Sequence, residues 1–415
     1  MDLLRRNITE RVLGALSDTP VVLLHGARQT GKSTLVQALA NEDYPAPYIT
    51  FDNATILAGA RRDPAGFLSD LGSPAILDEV QRAPELFLEI KTVIDRDRTP
   101  GRYLLTGSAN VLLLPQLSES LTGRMEILTL WPFSQGEMER AKEDSVDRLF
   151  AKGKPTLATV DLDRSEIIKR TLCGGYPESV SRPTPRRRTA WLESYVNTIV
   201  QRQVRDLANI EYLTEIPRLL RLLAARVGSL LNVAELSSSL GLPQTTIKRY
   251  LSLLEMMYLL HPVPAWSGNL GKRLIRGAKL VLNDTGLVSY LTGLDEPQIQ
   301  QDPTRLGPLL EDFVVMELRK QISWSSTRPH LYHFRTRKGH EVDIVIEDAS
   351  GQVVGIEVKA ASTVREEDLK GLRYFRDLVG TRFKRGLVLY TGSESVPFGD
   401  DLYAVPIGRL WRAEP

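Results

Sequence analysis

Apolar residues in this chain follow two periods, and each period predicts a different kind of element. Short apolar runs at 21–24 and 102–106 end in polar or glycine-containing turns, and a similar run at 74–79 ends in two acids. Bounded runs of this length indicate strands. At 341–347 and 353–359, Val and Ile alternate with charged residues around a DASG turn, which predicts a hairpin. Helical spacing elsewhere makes this a chain of the α/β class.

The segment after the first run has the composition of a phosphate-binding loop. Gly26 and Gly31-Lys32-Ser33 fit G-x-x-x-x-G-K-[ST] between a strand and a helix. Glycines let backbone N–H groups point at phosphates, and the helix offers its positive N-terminus. We expect Lys32 to contact the β- and γ-phosphates of ATP and Ser33 to ligate magnesium. The predicted nucleotide contacts are Gly26, Ala27, Arg28, Gln29, Thr30, Gly31, Lys32, Ser33 and Thr34.

Acidic and polar residues follow the next two strands. Asp78 is predicted to hold magnesium through water, and Glu79 to polarise the water that attacks ATP. An ordinary helix start with acidic residues is the alternative. Ser108 and Asn110 follow the third strand and are candidates to contact the γ-phosphate. The alternative for these two is a turn of small residues.

One arginine is a candidate for catalysis between subunits. Arg124 lies in LTGRMEILTLWPFSQGE, downstream of the third strand. As an arginine finger it would act on nucleotide in a neighbouring subunit, which implies a homo-oligomer. A surface arginine at a helix end is the alternative.

These motifs resemble those of the bacterial and archaeal AAA-type ATPases that carry domain of unknown function 4143 at the C-terminus. The resemblance is carried by GARQTGKS, AILDEVQRAP, LLTGSAN and LTGRMEILTLWPFSQGE, and later by LNDTGL, GPLLEDFVVMEL and HFRTRKGHEVDIVIEDASGQVVGIEVKA. It implies an AAA-type core, a helical middle and a C-terminal fold like that of restriction endonucleases. We expect a P-loop AAA-type core at 1–140, a helical lid or linker at 141–215, a winged-helix-like domain at 216–295 and the nuclease-like domain at 296–415.

The middle of the chain has a helix-turn-helix pattern and a basic charge. Residues 216–260 contain a helix, a glycine turn and a second helix that carries Thr245, Thr246, Lys248 and Arg249. Over 181–250 there are 11 Lys and Arg against 5 Asp and Glu. This excess favours contact with nucleic acid, DNA above all. A purely structural lid is the alternative.

The charged hairpin predicts a second metal site. Asp343 and Glu357 would hold a divalent cation, with Lys359 beside the water that attacks a phosphodiester. In the nuclease fold implied by the resemblance, an acid on the preceding helix completes the site; Glu311 matches best and Glu317 is the alternative. If 343 lies opposite 357, both side chains share one face, and 347 must then lie opposite 353. A hairpin with one charged, solvated face is the alternative to this metal site.

Composition limits the remaining choices. The 415 residues suffice for several domains, and the net charge of +2 implies no partner by itself. The single cysteine, Cys173, excludes an internal disulfide and fits the cytoplasm. No apolar run approaches 18 residues, so we expect no membrane segment. The predicted function is a magnesium-dependent ATPase whose C-terminal domain binds nucleic acid, with cleavage as a further candidate activity. The alternative is a regulatory nucleotide switch with an inactive C-terminal domain that binds DNA or a protein partner.

Overall fold

The computed structural model describes residues 3–108, 121–154, 158–199, 215–269, 277–399 and 401–412. The chain divides into two compact units. The first unit contains Met1–Phe133 together with Met256–Tyr258, and the second contains Ser134–Glu255 together with Leu259–Pro415.

A parallel sheet forms the centre of the first unit. Its strands are β1 (Val21–Gly26), β2 (Tyr48–Thr50), β3 (Ala75–Asp78), β4 (Tyr103–Ser108) and β5 (Met125–Thr129). They lie in the order β2-β3-β4-β1-β5, and every neighbouring pair is parallel. Strands β1, β3 and β4 are buried along their whole length, which explains why their sequences are continuous apolar runs rather than alternating ones.

Helices cover this sheet. They are α1 (Thr9–Asp18), α2 (Lys32–Asn41), α3 (Ala54–Arg62), α4 (Pro64–Leu71) and α5 (Leu86–Arg96), with a 3₁₀ turn at Val80–Arg82. Leu86, Phe87, Ile90 and Ile94 form one face of α5 and join the buried strand residues in the core. The predicted α/β fold is confirmed for this unit, and all three predicted strands are present.

The second unit contains a mixed sheet. Its strands are β6 (His330–Arg335), β7 (Glu341–Glu347), β8 (Val353–Lys359), β9 (Phe383–Tyr390), β10 (Val396–Pro397) and β11 (Leu402–Pro406). Their order is β10-β11-β9-β8-β7-β6. Strands β6, β7 and β8 are antiparallel neighbours, whereas β9 runs parallel to both β8 and β11.

The β7–β8 hairpin has the predicted register. Ile344 lies opposite Ile356 and Glu347 opposite Val353. At the turn, the Asp348 N–H donates to the Gln352 carbonyl at 3.0 Å. Positions 343 and 357 therefore face each other, and their side chains project from the same face of the sheet.

Helices form much of the described part of the second unit outside the mixed sheet. Before the mixed sheet lie α6 (Gln135–Glu139), α7 (Ser145–Phe150), α8 (Arg164–Cys173), α9 (Pro177–Val180), α10 (Pro185–Thr198), α11 (Glu215–Ala224), α12 (Val233–Leu240), α13 (Gln244–Met256), α14 (Thr285–Thr292), α15 (Glu296–Gln301) and α16 (Leu306–Ile322). After β8 come 3₁₀ turns and α17 (Lys370–Val379). Helix α17 packs on β7, β8 and β9. Within the described ranges, no helix has the length and apolar content needed to cross a bilayer.

Short paired segments accompany helices α11 to α13. Leu230 forms an antiparallel bridge with Lys279, and Val263 forms another with the same residue. Leu260 bridges Leu282 in the same way. Helices α12 and α13 are joined by a short turn in which Gly241 is left-handed, with φ of 68°. The helix-turn-helix pattern of the sequence thus corresponds to two helices beside a small antiparallel ladder.

Candidate functional site

The predicted phosphate loop connects β1 to α2. Gly26 needs its missing side chain, because a Cβ there would collide with the Leu130 carbonyl oxygen. Gly31 is the N-cap of α2 with φ of 93°, a conformation that favours glycine. The first N–H groups of a helix have no partner within the helix, so the loop ends at a site suited to an anion.

Lys32 begins α2 and is folded back onto the loop. Its Nζ donates to the carbonyl oxygens of Ala27 at 2.8 Å and Gly26 at 3.2 Å. Burial is the main cause that lowers the pKa of Lys32 to about 8, against the opposing charges of Glu79 and Asp78. The ammonium is thus held within the loop, where the phosphates of a nucleotide are expected.

Asp78 ends β3 and is surrounded by hydroxyl groups. Ser33 Oγ donates to it at 3.0 Å and Tyr48 OH at 2.7 Å, and the Thr106 hydroxyl makes a further short contact. The Asp78 carboxylate is buried. Ser33 and Asp78, the two predicted magnesium ligands, are therefore neighbours, and both offer the oxygen atoms that a hard cation prefers.

Glu79 lies one residue past the strand in a left-handed conformation, with φ of 59°. Its N–H donates to Thr106 Oγ1 at 3.1 Å. The side-chain amide of Gln81 donates to the Glu79 carboxylate, and also to Ser108 Oγ at 3.0 Å. The structure thus brings Glu79 and Ser108 together through Gln81, which the motifs did not single out. Asn110 lies outside the described residues.

Arg6 is a second residue near the loop that the motifs did not reveal. Its guanidinium donates to the Thr30 carbonyl at 2.8 Å and to the Trp131 carbonyl at 2.6 Å, and it lies over the ring of Phe133. Arg6 is buried although arginine is usually exposed. It precedes the motif by many residues, so spacing gave no signal for it.

His25, just before Gly26, is also enclosed. The Tyr258 hydroxyl lies 2.6 Å from His25 Nδ1, and the Thr129 hydroxyl lies 3.0 Å from Nε2. Burial, with a smaller contribution from Lys32, lowers the pKa of His25 to about 4. The ring is therefore neutral near pH 7 and adds no positive charge to the loop.

Arg124 lies at the opposite end of the strands from the phosphate loop. Met125 pairs with Val21, the first residue of β1, whereas the phosphate loop follows the last residue of that strand. Arg124 forms a two-pronged ion pair with Asp95, with Nε at 2.6 Å and Nη2 at 3.0 Å. The structure does not bring Arg124 to the phosphate loop of its own chain.

The charged residues of the hairpin meet in the second unit. Asp343 and Glu357 lie on one face, and the second oxygen of Asp343 accepts the Val358 N–H at 2.9 Å. Burial, and then the charge of Asp343, raises the pKa of Glu357 well above its ordinary value. Lys359 Nζ lies 3.6 Å from Glu357 and 3.9 Å from Asp368. We call Glu311, Asp343 and Glu357 the acidic cluster.

Lys279 contacts two members of the acidic cluster, and none of the sequence motifs included it. Its Nζ is 2.5 Å from Glu311 Oε1 and 3.5 Å from Asp343 Oδ1. Burial lowers the pKa of Lys279, but Glu311 and Asp343 outweigh that effect, so the net pKa is raised. Among the described residues, no group of three or more His, Cys, Asp or Glu side chains is arranged to hold a metal ion.

Glu317, the alternative third acid, lies elsewhere. It is fully buried, accepts the Gln135 N–H at 2.8 Å and pairs with Lys320 at 2.6 Å. Glu311 is therefore the helix acid that reaches Asp343 through Lys279, and Glu317 anchors the start of α6.

Comparisons with known families agree with the two ends of the chain. The AAA domain family matches residues 18–139, and a domain of unknown function, DUF4143, matches residues 306–410. A further domain of unknown function, DUF8612, matches residues 164–298. An uncharacterized protein of Mycobacterium bovis and one of Mycobacterium tuberculosis are each 32% identical over 408 residues, covering 98% of this chain and 84% of the relative.

The chain belongs to the AAA proteins that carry DUF4143. The resemblance inferred from the motifs is thereby confirmed, and so is the AAA assignment of the first unit.

Solved structures resemble this AAA protein only distantly. Two variants of RuvB from Thermotoga maritima have TM-scores of 0.31 and 0.32 at 19% and 18% identity; they cover 71% and 72% of this chain, and 93% and 94% of the RuvB chains is covered. A structure of Drosophila ORC bound to AT-rich DNA and Cdc6 has a TM-score of 0.22 at 12% identity, covering 70% of this chain and 90% of the matched chain. Likenesses this weak add nothing to the family assignment.

Proposed function

We propose that this AAA protein hydrolyses ATP with magnesium and that its second unit binds nucleic acid, DNA in particular. The hydrolysis part rests above all on one observation, the pairing of Ser33 with the buried carboxylate of Asp78 beside the phosphate loop. The two relatives carry no assigned activity, so this proposal rests on the residues of the chain itself.

Each residue of the nucleotide site has a distinct task in this proposal. Lys32 exchanges the carbonyls of Gly26 and Ala27 for the β- and γ-phosphates, whose negative charge favours its protonated form. Ser33 and Asp78 would hold magnesium, which supplies charge stabilisation at the phosphates when it is bound. Glu79 orients and polarises the attacking water. Gln81 fixes the Glu79 carboxylate relative to Ser108 and so keeps it in position.

Nucleic-acid binding rests on the surface of α13. Lys248 and Arg249 are exposed there, as is Thr245, while Ile247 and Tyr250 face the core. The turn at Gly241 and the ladder at 230, 263 and 279 support the prediction of a winged-helix-like domain. Exposed cations on the second helix of such a unit suit contact with phosphates.

Cleavage of nucleic acid is the second candidate activity, and one observation favours it. Asp343 and Glu357 share a face in the register that a shared cation requires, with Lys359 one step along the same strand. The position of Lys279 argues against cleavage, because the Lys279 ammonium already neutralises negative charge on this face of the sheet. We therefore propose binding without cleavage for the second unit. A regulatory switch that acts on a protein partner remains the alternative.

The test uses the full chain with ATP and Mg²⁺, alone and with duplex DNA, single-stranded DNA or RNA. We expect ATP hydrolysis, and salt-sensitive DNA binding without nicks in Mg²⁺ or Mn²⁺. Lys32→Ala should weaken ATP binding about 10- to 100-fold, since one charged hydrogen-bonding group is lost. Arg62→Ala, which removes an exposed cation from the same unit, is the matched control.

Three outcomes would change the proposal. ATP binding unaffected by Lys32→Ala would remove the nucleotide assignment. DNA affinity that is absent at low salt would favour the protein-partner alternative. Metal-dependent cleavage that disappears in Glu357→Ala would establish the nuclease instead.

A further inference from the structure

The acidic cluster concentrates negative charge in a largely buried place. The side chains of Glu311, Asp343 and Glu357 are 15%, 14% and 7% exposed. Carboxylates this close and this buried repel one another and lose hydration, so the fold must supply positive charge or leave them protonated. In a nuclease of the implied fold, that charge would come from a divalent cation.

The chain itself supplies a cation at this place. Lys279 Nζ contacts Glu311 Oε1 at 2.5 Å, Asp343 Oδ1 at 3.5 Å and the Asp343 carbonyl oxygen at 3.4 Å. An ammonium has three N–H donors, and these three oxygens are the acceptors it meets here. The Lys279 side chain is only 11% exposed. Lysine side chains are rarely this buried unless acidic groups pair with them.

The backbone of Lys279 is fixed by hydrogen bonds, so this residue does not belong to an irregular surface loop. Its N–H donates to the Val263 carbonyl, and its carbonyl accepts the Val263 N–H, both at 2.8 Å. A further bridge joins it to Leu230 on the other side. The lysine is therefore delivered to the acidic cluster by the small ladder beside α12 and α13, outside the DUF4143 segment itself.

Other contacts use the remaining space and oxygens of the acidic cluster. The second oxygen of Asp343 is engaged by the Val358 N–H, and Glu357 lies against Lys359. A Cβ added to Gly371 would be 2.8 Å from Glu357 Oε1, and one added to Gly228 would be 3.5 Å from Glu311 Oε2. Backbone therefore closes the acidic cluster on two sides, and the residues present do not fit a divalent ion together with Lys279.

We propose that Lys279 is the resident cation of the acidic cluster and replaces the divalent metal that the nuclease-like fold would otherwise require. The consequence is that metal and Lys279 exclude each other: removal of the ammonium converts the acidic cluster into a metal site. This inference deepens the proposal that the second unit does not cut nucleic acid, but it does not depend on ATP hydrolysis or on DNA binding.

The test is Mn²⁺ binding by the full chain without nucleotide or nucleic acid, followed by electron paramagnetic resonance and calorimetry. All chains carry Asp78→Asn, which removes the carboxylate proposed to hold magnesium in the nucleotide site. Lys279→Met should bind one Mn²⁺ at least about tenfold more tightly than its parent, because Glu311 and Asp343 lose their internal counter-ion. Its melting temperature should fall without metal and recover with Mn²⁺.

Two further variants separate this effect from a general loss of charge or of folding. Lys359→Met removes the lysine beside Glu357 and should gain no comparable Mn²⁺ affinity. Lys279→Met combined with Glu311→Gln removes one positive and one negative charge. The double variant should therefore melt at a higher temperature than Lys279→Met. It should do so even if that single variant fails to fold.

Specific results would overturn the inference. One is Mn²⁺ binding by the parent that is lost on Asp343→Asn, because Lys279 would then not exclude the metal. Another is an equal gain of affinity in Lys359→Met and Lys279→Met. A third is a double variant no more stable than Lys279→Met, since Lys279 would then not compensate Glu311. Because neither ATP nor DNA is present, failure of the proposed function leaves these measurements unchanged.

Discussion

The two units each bury acidic groups, but they satisfy them with different partners. In the first unit, Asp78 accepts hydrogen bonds from the hydroxyls of Ser33, Tyr48 and Thr106. In the second, Glu311 and Asp343 contact the ammonium of Lys279. Hydroxyl groups are neutral, so they leave the negative charge of Asp78 available to an incoming magnesium ion. The lysine cancels the charge that a metal would need.

Acidic residues alone therefore do not define a metal site. The sequence offers Asp78 beside a phosphate loop and Asp343 beside an E-x-K strand, and both patterns suggest magnesium. What separates them is the identity of the groups around the carboxylate, and those groups come from distant parts of the chain.

The first unit should be incomplete by itself if Arg124 acts between subunits. Arg124→Ala should then lower the rate of ATP hydrolysis by about 10³-fold, as arginine fingers contribute in related chemistry. Steady-state phosphate release measures it. Mixing Arg124→Ala with Lys32→Ala should restore part of the activity, because one good half-site forms from each. A monomer with full activity would show instead that Arg124 serves only its ion pair with Asp95.

Glu79 is the acid that we expect to act chemically rather than through a bound ion. Glu79→Gln should bind ATP with parental affinity but turn it over about 10²-fold more slowly, because it keeps the shape and loses the polarising charge. Filter binding and phosphate release distinguish the two steps. Glu85→Gln, an exposed acid on the same segment, is the control. Parental turnover in Glu79→Gln would move the role to another residue.

A third buried acid should hold a proton instead of a cation. Glu143 accepts hydrogen bonds from Ser134 Oγ and, at 3.1 Å, from the Gly136 N–H. Burial, and then the charge of Glu317, raises the pKa of Glu143 to about 8. Folded Glu143 therefore keeps its proton over a range where the unfolded group, with its ordinary pKa near 4.5, has lost it.

The pH dependence follows from this difference. Because the folded chain binds more protons than the unfolded chain, stability is greatest below the ordinary pKa and falls as the pH rises toward 8. The free energy of unfolding of the second unit should fall by about 2 kcal/mol between pH 5 and pH 7 through this group. Urea unfolding across that range should show a flatter profile for Glu143→Gln, and no change of slope for the exposed Glu193→Gln. An unchanged slope in Glu143→Gln would mean that Glu143 is ionised in the fold.

The smallest effect concerns the exposed cations of the second unit. Replacement of both Lys248 and Arg249 by Ala should weaken DNA binding about tenfold whatever the base sequence. The slope of log affinity against log salt should fall by about 2, as expected for two phosphate contacts. Fluorescence anisotropy at several salt concentrations measures both, with Arg96→Ala/Arg98→Ala as a control in the first unit. Equal affinity and slope would make α13 a structural element.

Local patterns predicted much of the fold because the signals were local. Strands β7 and β8 begin and end at the predicted residues, and their register follows from the need to place 343 opposite 357. Helix α2 begins at Lys32, as the phosphate-loop motif required. In each case a short segment contains the whole signal, so one sequence suffices.

Two of the residues that were missed, Lys279 and Arg6, act at long range. Lys279 reaches Glu311 and Asp343 from a ladder that precedes both, and no spacing rule connects them. Arg6 reaches the Thr30 and Trp131 carbonyls across the first unit. Single lysines and arginines on ordinary segments look like surface residues, because only tertiary packing decides which of them are buried.

The three residues Met256–Tyr258 limit how the gene for this protein can be divided and fused to others. The main chain leaves the first unit after Phe133. It contributes Met256–Tyr258 to that unit again and then continues in the second unit. A protein made from residues 1–133 alone would lose the tyrosine that covers His25, and solvent would then raise the pKa of that ring from about 4 toward its ordinary value of 6.5. Weak acid would place a second positive charge beside Lys32. A gene fusion that includes only the first 133 residues would therefore encode an incomplete nucleotide site. The two units must be transferred together.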